Sequence, residues 1–213
     1  LPAECKKVKY AKKEVLPEAK VQQGVATIRV TVTGAKKDGD MRAIVFGFKP
    51  LNSMDDYTQS VDIPADGKVT MEIPLYIPRC GSFCSNTLKM ASLVITPGET
   101  LECLIDLDQK ENVFVAMKGY LAATNMQYTR VNNLINERLA NAYDDFRRSG
   151  KPSEDSDARI RLCLDSLQTD LNKMKLTDAA KALKNMQLAN LRYITLKEKE
   201  GLSVFGEPYA PCF

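Results

Sequence analysis

The run Val113-Phe114-Val115-Ala116-Met117-Lys118-Gly119-Tyr120-Leu121-Ala122-Ala123-Thr124-Asn125-Met126-Gln127-Tyr128 decides the architecture of this chain. Before Gly119 the apolar residues Val113, Val115 and Met117 alternate, the spacing of a strand with one buried face. After it, Tyr128, Val131, Ile135, Leu139, Ala142 and Phe146 recur every third or fourth residue, the spacing of a helix with one buried stripe. The chain is therefore β-rich up to about residue 118 and helical beyond it.

Working back from Gly119, the same alternation recurs six times. Ala26, Ile28, Val30 and Val32 alternate with Thr27, Arg29, Thr31 and Thr33. Ile44, Phe46 and Phe48 mark a second strand, and Val61 and Ile63 a third. Pro64-Ala65-Asp66-Gly67 supplies a turn, and Val69, Met71, Ile73, Leu75 and Ile77 follow in strict alternation. The spacing predicts a hairpin of strands three and four. The stretch from Cys80 to Asn86 breaks the pattern and reads as a loop. Met90 to Ile95 is a fifth strand, Thr96-Pro97-Gly98-Glu99 a type II turn, and Leu101, Cys103, Ile105 and Leu107 one face of a sixth. With the strand before Gly119 the total is about seven, which predicts an antiparallel β-sandwich.

Working forward, Gly150 and Pro152 end the first helix. Ser153 followed by Glu154, Asp155 and Asp157 opens a second, because acids favour a helix N-terminus. Its seam is Ile160, Leu164, Leu167, Leu171 and Met174. Thr177-Asp178 caps a third, with Ala180, Leu183, Met186, Leu191 and Ile194 on its apolar face and Gly201 beyond its end. The fold class is α+β, an N-terminal antiparallel β-sandwich of about seven strands followed by a three-helix section. The divisions are a lead-in segment at 1–20, the sandwich at 21–118, the helical section at 119–200, and a linker or tail at 201–213. The lead-in carries Lys6, Lys7, Lys9, Lys12 and Lys13 with only Tyr10 among them. It reads as a solvated start or a frayed edge strand, with a basic arm for an anionic surface as the alternative; a single tyrosine gives nucleic-acid stacking little support.

Composition narrows the chemistry. The 213 residues are 44% hydrophobic and 27% charged, with a net charge of +3. That gives no reason to expect nucleic acid as a partner. No apolar run reaches the roughly 18 residues of a transmembrane helix. Histidine is absent, so imidazole general bases and Ser-His-Asp triads are excluded. No cofactor and no metal site is expected, and the chain reads as more in keeping with a binding role than with an enzyme. Its start at Leu1 rather than Met is what a mature or excised product would show.

The six cysteines are Cys5, Cys80, Cys84, Cys103, Cys163 and Cys212. Cys80-Gly81-Ser82-Phe83-Cys84, beside Arg79, is the one close pair: a structural bridge, two unpaired thiols or a redox pair. Cys103 and Cys163 read as small buried hydrophobes. Cys5 and Cys212, near opposite ends, permit a terminal bridge. Asp106, Asp108, Glu111 and Asn112 crowd one turn without the spacing of a calcium loop, and read as a solvated turn.

Ile95-Thr96-Pro97-Gly98-Glu99-Thr100-Leu101, then Ile105-Asp106, a strand, Gly119 and a helix bearing Asn125 together resemble one known arrangement. It is the accessory region that precedes the thioredoxin module in envelope thiol–disulfide proteins of the Bacteroidetes. The likeness covers the layout of residues 25–200. In that family a small β-domain and long helices lead into a thioredoxin domain with a W-C-x-x-C motif. This chain has neither tryptophan nor a C-x-x-C, so no catalytic residue of the family carries over. The resemblance implies a secreted protein of the periplasm or outer envelope and an accessory role. The expected function is a non-catalytic interaction domain that docks a protein partner or positions a redox module absent from this sequence; self-association is a further expectation. The alternatives are a thiol–disulfide protein using Cys80 and Cys84, and a ligand- or glycan-binding module on the sandwich loops.

Overall fold

The computed structural model describes residues 13–18, 20–34, 43–48, 56–85, 91–106, 114–149 and 154–199, without the side chains of 114–115, 141–149, 154–159 and 194–199. Cys5, Cys212, Asp108, Glu111, Asn112, the lysines before Lys13 and the 201–213 tail lie outside these residues. The chain is α+β, with eight strands and three helices among the described residues. The strands are β1 (Gly24–Thr33), β2 (Ala43–Phe48), β3 (Tyr57–Asp62), β4 (Lys68–Leu75), β5 (Arg79–Cys84), β6 (Ala91–Ile95), β7 (Thr100–Asp106) and β8 (Phe114–Gly119). The helices are α1 (Ala122–Ser149), α2 (Glu154–Asn172) and α3 (Asp178–Lys199).

Two four-stranded sheets form, in the orders β4-β1-β7-β8 and β3-β2-β5-β6. Their inner faces share one core, in which Ile28, Met71, Ile73, Ile105 and Met117 of the first sheet meet Ile44, Phe46, Phe83 and Leu93 of the second. The alternation read from the sequence thus identifies the inward residues of β1 and β4 correctly: Ala26, Ile28, Val30, Val32, Val69, Met71, Ile73 and Leu75 are all buried. The turn at Thr96–Glu99 also forms as expected, with the Glu99 N–H donating to the Thr96 carbonyl at 3.2 Å and Gly98 at φ 80°.

Three expectations about the strands need correction. Cys80 to Cys84, expected as part of a loop, belong instead to strand β5, paired to β2 and β6. Its alternation is hidden because Gly81 holds an inward position. A Cβ there would stand 2.2 Å from Cζ of the buried Phe46, so the ring fills the place of the missing side chain. Strands β3 and β4 do not form a hairpin either: β3 pairs with β2 and β4 with β1, in different sheets. The turn itself closes, Gly67 N–H to Pro64 carbonyl at 2.9 Å with Gly67 at φ 69°, but Val32 N–H binds the Gly67 carbonyl at 2.8 Å and draws the chain onto β1. Finally, the sandwich is not wholly antiparallel, because β1 and β7 run parallel from Thr27↔Thr100 to Thr33↔Asp106.

The helices carry a second core. Val131, Ile135 and Leu139 of α1 pack with Ile160, Leu164, Leu167 and Leu171 of α2 and with Leu188 of α3. The expected seam of α2 is therefore buried up to Leu171, and Met174 lies past the helix end, half-buried. On α3 the expectation fails at Met186, which is 40% exposed; Leu188 takes the buried place. Leu188 and Ala180 lie eight residues apart on one side of the helix, whereas Met186 points away from it.

A third, smaller cluster joins the two. Cys80 and Val94, cross-strand neighbours on the outer face of β5 and β6, meet Leu121, Tyr128, Ala179 and Leu183. Leu16 from the N-terminal segment packs against the same cluster. Within the expected lead-in, the described residues Glu14 and Leu16 are therefore docked where sheet and helices meet, while Lys13, Val15, Glu18 and Lys20 are exposed.

Candidate functional site

Geometry first disposes of the cysteine pair. Cys80 and Cys84 stand four residues apart on one strand, on the same face. A strand rises roughly 3.3 Å per residue, which separates their Cα atoms by about 13 Å. A disulfide needs no more than about 7 Å. The two cannot bond to each other, whether structurally or in a redox cycle, while β5 is formed. The sequence spacing looked compact only under the assumption of a loop.

Cys103 is buried on the inner face of β7, as expected. Burial, with the nearby Glu102 carboxylate, pushes its thiol from 9.0 up to about 12. The thiol is raised, so the folded state keeps a proton that the unfolded chain gives up. Stability from this group is intact below pH 9 and falls as pH rises from about 9 to about 12. Native protein at pH 8.5 should leave Cys103 unlabelled by iodoacetamide, with labelling appearing only in denaturant, as read by peptide mass spectrometry. Cys163 is half-buried on α2; its thiol lies 3.6 Å from the Arg138 carbonyl and is raised by burial, against the opposing pull of the Arg138 charge. Asp106 is buried at the end of β7, not solvated.

Polar side chains converge instead on the junction of sheet and helices. Asn125, fully buried in the first turns of α1, faces the outer edge of β6. Its Oδ1 accepts the Val94 N–H at 2.7 Å, and its Nδ2 donates to the Val94 carbonyl at 3.0 Å. One amide side chain thereby does what a further strand would do for that residue, and the sheet edge is closed by a helix. Asn125 entered the sequence reading only as a mark of the resemblance; its partner is 31 residues away and left no local signal.

The N-termini of α1 and α3 start side by side, with Thr124 Oγ1 and Thr177 Oγ1 2.8 Å apart in a buried contact. Thr177 caps α3 as expected, accepting the Ala180 N–H at 3.2 Å. Its own N–H donates to Gln127 Oε1 of α1 at 2.7 Å. Glu14 sits across both helix starts. Its carboxylate accepts the Ala123 N–H at 3.2 Å and the Thr124 N–H at 2.7 Å, and its carbonyl accepts the Ala179 N–H at 2.9 Å. First-turn amides have no acceptor inside their own helix, and negative charge is favoured at that end. The Tyr120 hydroxyl is held above its ordinary range by burial, then by the Glu99 and Glu14 charges.

No protein family, curated protein or solved structure matches this chain. The site has to be read from its own chemistry, and that chemistry is one of holding. The backbone amides of Val94, Ala123, Thr124, Thr177 and Ala179 each face an acceptor of this same chain, and the carboxylate there is tied to backbone amides. Lys184 of α3, a buried cation, donates to Asn172 Oδ1 at 2.7 Å at the end of α2. Burial and the neighbouring Lys181 hold its ammonium below the usual lysine range.

Along the outer side of α3 the arrangement is different. Ala182, Met186, Ala189 and Tyr193 recur at four, three and four residues and therefore share one stripe. Met186 and Tyr193 are 40% and 50% exposed, and Ala189 is exposed between them. The polar residues Lys181, Asn185 and Arg192 lie to one side of this stripe. Sequence reasoning placed Met186 in the core because a helical period identifies a face without saying which of two apolar faces meets the protein.

Proposed function

We propose that this chain is a non-catalytic accessory module of the cell envelope, whose helical section docks a protein partner or positions a redox module carried outside this sequence. The observation that carries the reading is the outward apolar stripe of α3, Ala182–Met186–Ala189–Tyr193, on a helix whose opposite side is already packed. Apolar side chains repeated along an exposed helix face are a common contact for another surface. The resemblance to the region ahead of envelope thioredoxin modules supports the location and the accessory role. The α+β order of the chain agrees with that layout.

Photo-crosslinking tests the docking face directly. A benzophenone residue at position 186 should give discrete crosslinked products in envelope extracts, and the same residue in place of the exposed Glu72 on β4 should not. Met186→Asp combined with Tyr193→Asp should abolish binding of the crosslinked species with the circular dichroism spectrum unchanged. Equal crosslinking from both positions would overturn the α3 face. Turnover of a model disulfide by the purified chain would overturn the non-catalytic reading.

A further inference from the structure

We infer that residues 13–18 form a strap that opens while the rest of the fold stays intact, and that Glu14 is its latch. The strap has no helix or strand of its own, and Lys13, Val15 and Glu18 on it are exposed. It is held by the three Glu14 hydrogen bonds to Ala123, Thr124 and Ala179 and by Leu16 at the small joining cluster. Among the described residues, releasing it breaks no helical or sheet ladder. The three amides belong to first turns, and the intrahelical bonds begin just after them, at Asn125 N–H to Leu121 carbonyl and Lys181 N–H to Thr177 carbonyl. Both larger cores keep all their buried members, because among the described residues Leu16 packs against the cluster of Val94, Leu121, Tyr128, Ala179 and Leu183 and not against either of them.

The chain after the strap stays fixed when it opens. Gln22 N–H binds the Tyr76 carbonyl at 2.6 Å, and β1 begins at Gly24 between β4 and β7. Reclosing is therefore an intramolecular step over a few residues. Segments held by few buried apolar contacts open at lower free energy than core strands do. The open form bares the paired starts of α1 and α3 and the side of the joining cluster under Leu16. The strap thus governs access to the seam between sheet and helices, a place distinct from the outward stripe of α3.

Native-state hydrogen exchange at residue resolution on the full chain tests this. The amides of Ala123, Thr124 and Ala179 should exchange through an opening that leaves Ile28 and Val30 of β1 protected. Glu14→Ala should then speed exchange at Ala179 about two- to thirtyfold, the range that loss of a helix cap corresponds to. Ala179 is the informative amide: its bond goes to the Glu14 backbone carbonyl, which the substitution leaves in place. Leu16→Ala keeps the carboxylate and should accelerate Ala179 as well. If the three amides exchange only together with β1, the strap is an integral part of the fold and the inference fails. It fails equally if either variant leaves Ala179 exchange unchanged.

Discussion

Replacing Asn125 with alanine should destabilise the protein by about 2–5 kcal/mol, because both backbone groups of Val94 on the β6 edge lose their partner at once. A buried donor or acceptor left unpaired costs about 1–3 kcal/mol, and here one side chain serves one of each. Asn125 is fully buried, so water does not take over without the helix moving off the sheet. Urea denaturation followed by circular dichroism measures the loss. Asn136→Ala, about three turns further along α1 at an exposed position, should change stability by less than about 0.5 kcal/mol and serves as the control. Asn125→Asp sharpens the prediction through its sign. A carboxylate accepts from the Val94 N–H but turns a second acceptor toward the Val94 carbonyl. Protonation restores a donor, so the carboxyl at 125 titrates above its ordinary range in the folded state. The variant should gain stability as pH falls and lose it as pH rises through that raised value. A variant as stable as the parent at neutral pH would show that the clamp contributes nothing to holding α1 on the sheet.

Gly119→Ala should cost about 2–6 kcal/mol, through two effects that add at one atom. Gly119 has φ 102°, a conformation side-chain-bearing residues rarely adopt. A Cβ there would also lie 2.2 Å from the Thr100 carbonyl oxygen, an atom of the neighbouring strand β7 that has no rotamer to change. Strain of the first kind costs about 1–3 kcal/mol and overpacking about as much again. The same carbonyl accepts the Tyr120 N–H at 3.4 Å, so pushing it away also loosens the entry to α1. Gly98→Ala separates the two effects. Gly98 has φ 80° but open space around it, so only the backbone strain remains, about 1–2 kcal/mol. Thermal or urea unfolding of both variants gives the comparison; equal losses at 98 and 119 would remove the steric half of the argument. Leu121, two residues on, has φ 55° in a non-glycine residue, and its buried side chain in the joining cluster offsets that strain. Gly119 and Leu121 together turn the chain from the last strand into the first helix.

That turn is also where the sequence was most legible. The change of apolar spacing at Gly119 places the end of β8 and the start of α1 within a few residues, because both periods are local consequences of backbone geometry. The same holds for the inward faces of β1 and β4, the Pro97-Gly98 turn, the buried seam of α2 and the Thr177 cap. Each depends on residues close together in the chain, so each is written in a short window.

Which strand lies beside which is a different kind of fact. Alternation tells a strand which side to bury and nothing about its neighbour, so the parallel pairing of β1 with β7 and the parting of β3 from β4 were settled by the whole sandwich. Strand β5 was hidden for a related reason: Gly81 is an inward residue only because the Phe46 ring occupies its side-chain space. Once β5 forms, Cys80 and Cys84 are too far apart to bond, and the one cysteine motif of the sequence dissolves. Glu14 and Asn125 could not be read at all, since their partners lie up to 110 residues away. Secondary structure and the faces to be buried follow here from short-range backbone and side-chain preferences. Strand order, the helix-to-sheet clamp and the docked N-terminal segment follow from contacts that exist only after distant parts of the chain have met.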